Sequence, residues 1–251
     1  KDILRFHAIY WPAFLLAADI TPPQKIYGHG WILSDEKKMS KSLGNILDPI
    51  EIIKNFGVDQ LRYYLIKEVS LGNDGNISLD SLTNCINNDL ANNYGNLCQR
   101  VFSFINKNCD SKIPSFDKFE SADKKLSNEI IDQLPKLKEL MNNQDLNLYI
   151  KQVIKFSFNA NKYFNDQEPW GLKKNNPKRM GTILYNILNQ IRSISILLYP
   201  VIPESTSKVL DMLGIDKKGR GIKSIENSNF LKQGSIIQKA QILFKKIENE
   251  N

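Results

Sequence analysis

Apolar side chains recur every three to four residues through most of this chain, and that rhythm predicts helices. From Ser81 onward, Ile86, Leu90, Tyr94, Leu97, Val101, Phe104 and Ile105 make a stripe that one helix would bury. Further helices are predicted over residues 126–141, 146–164 and 180–198, with Pro169 blocking continuation of the middle one. Pro200 and Pro203 break the next, and another begins at Glu204. Residues 106–125 are polar, include Pro114, and read as a loop between helices. Residues 214–234 read as a loop-rich stretch. Residues 235–251 read as a short apolar patch (Ile236, Ile237, Ile242, Leu243, Phe244) running into a charged tail. No internal repeat is visible, and the pattern from Ser81 on predicts a helical bundle with antiparallel neighbours.

The N-terminal third is less regular. Ile3, Phe6, His7, Tyr10, Phe14 and Leu15 fall near helical spacing, with Pro12 predicting a kink or a late helix start. His7 and Trp11, four apart, share a face if that segment is helical. On spacing alone, a core histidine beside a core tryptophan is the simpler account of the pair. Residues 25–33 read as a short strand interrupted by Gly28 and Gly30, where a close backbone approach would suit a ligand. His29 reads equally well as a turn residue. Asp48 and Pro49 predict a helix start, followed by two short helices over 50–56 and 58–69. A turn cluster at 72–76 then leads into an extended piece over 77–79.

Charge narrows the classes. The 251 residues carry a net charge of +7, which favours a polyanionic partner. Cys85, Cys98 and Cys109 form no Cys-x-x-Cys pair and leave one over. That argues against zinc or a disulfide framework and for a reducing compartment, so a cytoplasmic location is expected. The longest apolar run, over 194–202, is too short to span a bilayer, and no signal-peptide pattern opens the chain. Lys1-Asp2-Ile3 reads as the middle of something, so the chain is expected to be the C-terminal part of a longer protein.

Two constellations carry chemistry. In Lys38-Met39-Ser40-Lys41-Ser42, continued by Leu43-Gly44-Asn45, two ammonium groups three residues apart flank small hydroxyls on a segment that ends in glycine. Lysines supply point charges to phosphate oxygens and serines supply donors, which suits a triphosphate. With Asp35-Glu36-Lys37 just upstream, a solvated charge run fits the same residues. Farther on, Asn92, Asn96 and Arg100 fall in a row opposite the buried stripe. Asparagine weakens a helix, so such a row is either functional or compositional drift in an Asn- and Lys-rich chain.

The string KMSKS followed by LGN resembles the signature loop of class I aminoacyl-tRNA synthetases. Lys1-Asp2-Ile3-Leu4-Arg5-Phe6-His7 with Trp11-Pro12, the 92–100 row, and Pro169-Trp170 together resemble the bacterial methionyl-tRNA synthetase family. The likeness runs from Lys1 to about Gly214, with a weaker echo over 242–248. It implies a mainly α fold: the C-terminal edge of a class I Rossmann-type α/β catalytic domain (residues 1–47), a linking segment (48–80), an α-helical anticodon-binding bundle (81–234) and a tail (235–251). It implies methionine–tRNA ligase activity, in which methionine and ATP give methionyl-adenylate and the methionyl group passes to tRNA(Met). Lys38 and Lys41 would act catalytically on ATP phosphates. Ser40, Ser42 and Asp2 would join them in binding ATP, which carries Mg2+.

Under the same resemblance Phe6, His7 and Trp11 would line the methionine pocket, a setting that suits a polarizable sulfur. Asn96, Arg100 and Trp170 would read the CAU anticodon, supported by Asn92 and Pro169. Asp35-Glu36-Lys37 is more charged than the family's usual approach to the loop. The HIGH-containing half and the zinc-bearing insertion fall outside the chain, so it is expected to hold no zinc and to be inactive alone. A monomer is expected. Two alternatives fit the same residues: a class I synthetase for another amino acid, and a tRNA-binding module without catalysis of its own.

Overall fold

In a computed structural model, described for residues 3–34, 36–40, 47–227 and 230–248, a short strand β1 (Ile32–Ser34) anchors the N-terminal region. It pairs antiparallel with β2 (Lys37–Lys38) and parallel with β3 (Gly75–Ile77). The strand predicted over 25–33 therefore forms only at its end. The glycine there does mark a close approach, but to backbone: a Cβ on Gly30 would run into the Asn73 carbonyl. Upstream, helical backbone runs unbroken over 4–17: Phe6–Tyr10 is π-helical and passes directly into α1 (Trp11–Ala17), so Pro12 lies within a continuous helix just after the change from π to α and marks no late start.

Helix starts follow local chemistry. α2 (Pro49–Phe56) begins where the Asp48 side chain accepts from the Ile50 amide at 2.8 Å. Gly57, at φ 103°, turns the chain into α3 (Val58–Glu68). α4 (Leu79–Cys85), capped by Ser78, runs without a break into a π-helical stretch, Ile86–Gly95, and then α5 (Asn96–Asn108). The stripe predicted along this element is buried from Ile86 to Ile105 except for the half-buried Phe104.

Three later helices, over 121–143, 146–167 and 177–198, are longer than the periodicity suggested. α6 (Ser121–Asn143) starts five residues before the predicted 126, because the Asp123 carboxylate accepts from the Glu120 amide and closes a capping box. Pro135 lies inside α6 on its exposed side. α7 (Leu146–Gln167) ends where Glu168 turns left-handed, and Pro169 opens a short α8 (Pro169–Leu172). α9 (Pro177–Leu198) is buried from Met180 to Leu198, and Pro203 begins α10 (Pro203–Met212).

A helix buried all round needs its polar side chains satisfied, and α9 meets that need in part, leaving Asn189 Oδ1, Gln190 Oε1 and Arg192 Nε without a hydrogen-bond partner among the described residues. Asn186 donates to the Asp123 carbonyl at 3.0 Å and Gln190 to the Leu126 carbonyl at 2.9 Å, fixing α9 against α6. Arg192 donates to the Ser224 and Asn227 carbonyls at 3.0 and 3.2 Å, holding the loop after α10.

The end of the chain is built into this core. Ile237 and Phe244 are buried, and residues 235–248 run extended back along the 79–108 element. Asn106 receives the Ala240 amide at 3.0 Å and donates to the Gln238 carbonyl at 3.3 Å. Nearer its N-terminal end, Asn87 exchanges two bonds with the Ile247 backbone, both at 2.8 Å.

Candidate functional site

The 79–108 element carries the predicted polar row. Asn92 is exposed, while Asn96 and Arg100 are half-buried. Arg100 turns toward α7, where its Nη2 donates to the Asn165 side-chain oxygen at 2.7 Å. Its guanidinium carbon stands 5.1 Å from the centre of the Phe164 ring. Phe164 is buried and meets two other rings edge-on: Phe104 at 6.4 Å and 84°, and Trp170 at 5.6 Å and 86°.

Trp170 is presented by a backbone device. Glu168 adopts the left-handed conformation, Pro169 follows buried, and Trp170 emerges 46% exposed. One edge contact with Phe164 leaves much of the indole accessible. Trp170 is thus a supported surface aromatic, neither a core anchor nor a free side chain. Arg100 and Trp170 meet at Phe164, with the buried Pro169 next to Trp170 in the chain and Asn96 one helical turn from Arg100. The sequence reading did not single out Phe164 or Asn165. Phe164 looked like one more member of the α7 stripe, and Asn165 like one more asparagine in a polar run.

Behind the row, the π-helical stretch is pinned from two sides. Asn161 of α7 donates to Asn93 at its carbonyl (3.2 Å) and its side-chain oxygen (3.0 Å). On another side, Asp89 accepts from Tyr63 at 2.7 Å and pairs with Lys67 at 2.6 Å, tying the stretch to α3. Burial pushes the Tyr63 hydroxyl well above its usual range, helped by the Asp89 carboxylate. Burial likewise raises the neighbouring Cys85 thiol to about 12, which leaves it an unreactive core thiol.

The predicted nucleotide residues divide. Lys38 lies on the exposed β2, its Nζ 3.8 Å from the centre of the Trp31 ring. Trp31 is itself fixed by its amide, which donates to Asp74 at 2.8 Å, and the Glu36 amide donates to Asn76 at 2.9 Å. Ser40 is half-buried. Lys41, Ser42 and Asp2 lie outside the described residues. In sequence Trp31 reads only as a strand residue, and its pairing with Lys38 rests on the β1–β2 turn.

Phe6, His7 and Trp11 follow one another on the exposed N-terminal helical segment. His7 and Trp11 are 6.3 Å apart at 70°, and His7 Nδ1 lies 3.0 Å from the Ile3 carbonyl. Neither is buried, so the simpler core account of this pair fails in this chain. No residue of either helical piece is buried, and Phe6, Tyr10, Trp11 and Phe14 all count among its exposed aromatics.

Known proteins match both regions. Residues 1–102 match the family described as tRNA synthetases class I (M), and residues 113–251 match the anticodon binding domain of methionyl tRNA ligase. The methionine–tRNA ligase of Rickettsia felis is 43% identical over 254 residues, covering 100% of this chain and 49% of the relative. That of Brucella suis biovar 1 is 44% identical over 215 residues, covering 86% of this chain and 42% of the relative. The chain spans about half the length of the curated relatives it matches. Among solved structures, Mycobacterium tuberculosis methionyl-tRNA synthetase in complex with methionyl-adenylate superimposes with a TM-score of 0.91. It is 38% identical, over 97% of this chain and 48% of that one. The two family matches cover most of the chain between them, the solved relative superimposes along nearly its whole length, and the chain belongs to the methionyl-tRNA synthetase family of class I tRNA synthetases.

Proposed function

We propose that this chain supplies the signature loop and the anticodon-reading bundle of a methionine–tRNA ligase. The reaction is ATP-dependent formation of methionyl-adenylate followed by transfer of the methionyl group to tRNA(Met). Lys38 and Lys41 act on the ATP phosphates, where two fixed cations stabilise the charge that moves onto pyrophosphate. Ser40, Ser42 and Asp2 complete the nucleotide contacts, and Mg2+ enters as the counterion of the nucleotide. Phe6, His7 and Trp11 take the thioether side chain.

Asn92, Asn96, Arg100, Pro169 and Trp170 read the CAU anticodon. Unstacked loop bases are recognised by aromatic faces and by hydrogen bonds at their edges. Trp170 supplies a face; Asn96 and Arg100 supply edges. The enzyme works as a cytoplasmic monomer. The observation that carries this reading is the half-exposed Trp170, held edge-on by the Phe164 ring that also faces Arg100. The test is the affinity of the chain for a tRNA bearing CAU and for the same tRNA with another anticodon. Tighter binding of CAU is expected; equal affinities would overturn the anticodon assignment.

A further inference from the structure

The outward face of α7 departs from an ordinary solvated helix. Lys151, Lys155, Phe158, Lys162 and Asn165 are spaced four, three, four and three residues apart, so they form one stripe along the helix. All five are exposed, Phe158 by 50%. At 1.5 Å per residue the stripe is about 21 Å long. Across the 22 residues of α7 there are three lysines and a single acid, Asp166. The exposed face of α6 instead mixes signs, as in the Lys136–Glu139 pair at 2.9 Å.

The stripe is continuous with the candidate anticodon site, because its last member, Asn165, is the residue that holds Arg100. Its neutralisation is partial, since Lys155 and Lys162 border the α6–α7 cleft with Glu129, Asp132 and Asp166, while Lys151 stands outside it. Lys162 pairs with Asp166 at 2.7 Å, both well exposed, and such a pair is readily exchanged for another anion. Lys155 and Lys125 face Glu129, whose carboxyl burial pushes up and which also accepts from Asn159. A row of ammonium groups with one exposed aromatic at its centre is complementary to a polyanion that also offers an unstacked base.

We propose that this stripe is a track for the phosphate backbone of the anticodon arm of a tRNA. Lys151, Lys155 and Lys162 contact phosphates, and Phe158 stacks a loop base outside the triplet. The assignment rests on the anticodon reading given above but adds residues that reading does not use. Backbone contacts carry no sequence information, so the stripe strengthens binding of every tRNA equally.

The test measures binding of the full chain to a CAU tRNA and to its altered-anticodon counterpart across a salt series. In a Lys151→Ala/Lys155→Ala/Lys162→Ala variant, the log–log salt slope is expected to fall by roughly 0.7–0.9 per lysine. Both tRNAs should lose affinity by one common factor, leaving their ratio intact. Phe158→Ala should weaken both by about 5- to 150-fold at unchanged slope, with Phe158→Tyr restoring them. Lys136→Ala on α6 serves as the control and should change neither slope nor affinity. An unchanged slope and affinity in the triple variant would overturn the proposal, and so would a collapsed CAU preference. Trp170→Ala is measured beside them. If it leaves discrimination intact while the lysine variant flattens the slope, the anticodon reading fails and the track stands.

Discussion

Arg100 and Asn165, 65 residues apart in sequence, meet through a 2.7 Å bond from guanidinium to side-chain amide oxygen. That bond fixes one guanidinium edge and leaves the arginine with further donors, since a planar fork carries five N–H groups. An arginine held this way loses less freedom on meeting a base than one waving in solvent.

The two aromatic residues of the site should fail differently. Phe164→Ala empties a buried position and is expected to cost about 3–5 kcal/mol of stability. Trp170→Ala removes a half-exposed ring with one edge contact to Phe164 and should cost only about 0.5–1.5 kcal/mol. Its main effect should be on tRNA, with CAU affinity converging on that for altered anticodons. Urea denaturation and tRNA binding on one preparation separate the two. A loss of several kcal/mol from Trp170→Ala with discrimination retained would place the indole in the core after all.

Acid should destabilise the bundle partly through Asp123. Burial raises its carboxyl, but hydrogen bonds from Arg179, Tyr163 and the Glu120 amide outweigh that and hold it below the usual 3.8. A depressed carboxylate contributes fully above the unfolded value and loses that contribution as pH falls through the folded one. Stability should therefore drop below about pH 4, where the unfolded chain takes up the proton first. Asp123→Asn should flatten this part of the profile. At neutral pH it should cost roughly 1–3 kcal/mol, since Arg179 loses its buried carboxylate but keeps Gln167 and Glu120. Denaturation midpoints at pH 7 and pH 3 test both statements; an unchanged profile in the variant would remove Asp123 from the account.

The extended segment 235–248 should be an integral part of the bundle. Phe244 lies 6.4 Å from the Tyr94 ring and sits over Gly95, where a Cβ would stand 3.1 Å from it. Phe244→Ala is expected to cost about 3–5 kcal/mol. Asn87→Ala breaks both bonds to the Ile247 backbone, for about 1–3 kcal/mol. Hydrogen exchange at the Ile247 amide should accelerate in that variant. Unaltered protection would show that Asn87 does not hold the segment down.

The signature loop gives a kinetic prediction for an enzyme that carries the whole reaction. If Lys41 acts on pyrophosphate as it leaves, Lys41→Ala should slow adenylate formation by about 10²–10³-fold. Methionine binding should change far less, since the interaction belongs to the transition state. A variant whose only defect is a raised KM for methionine would leave Lys41 an ordinary surface charge.

Asp48 and Pro49, the buried stripe from Ile86 to Ile105, and the α9 segment could be read from the sequence because their causes are local. A cap acts over two residues and a stripe over one helical turn, so spacing alone reveals them. The KMSKS string was legible only by its resemblance to a known loop, and spacing left the purpose of the Asn92, Asn96, Arg100 row open. Tertiary structure alone decided what those residues face. Asn87 reads as drift in an asparagine-rich chain until it meets Ile247, 160 residues away. The same holds for Asn165 until it meets Arg100, and for Trp31 until Lys38 lies over its ring. The Pro169-Trp170 pair fits a buried anchor and an exposed platform equally well in sequence. Only the left-handed turn at Glu168 and the ring of Phe164 turn the indole half outward. Periodicity records which side of an element is apolar, but long-range pairing is set by which sides pack together, and no spacing along the chain encodes that.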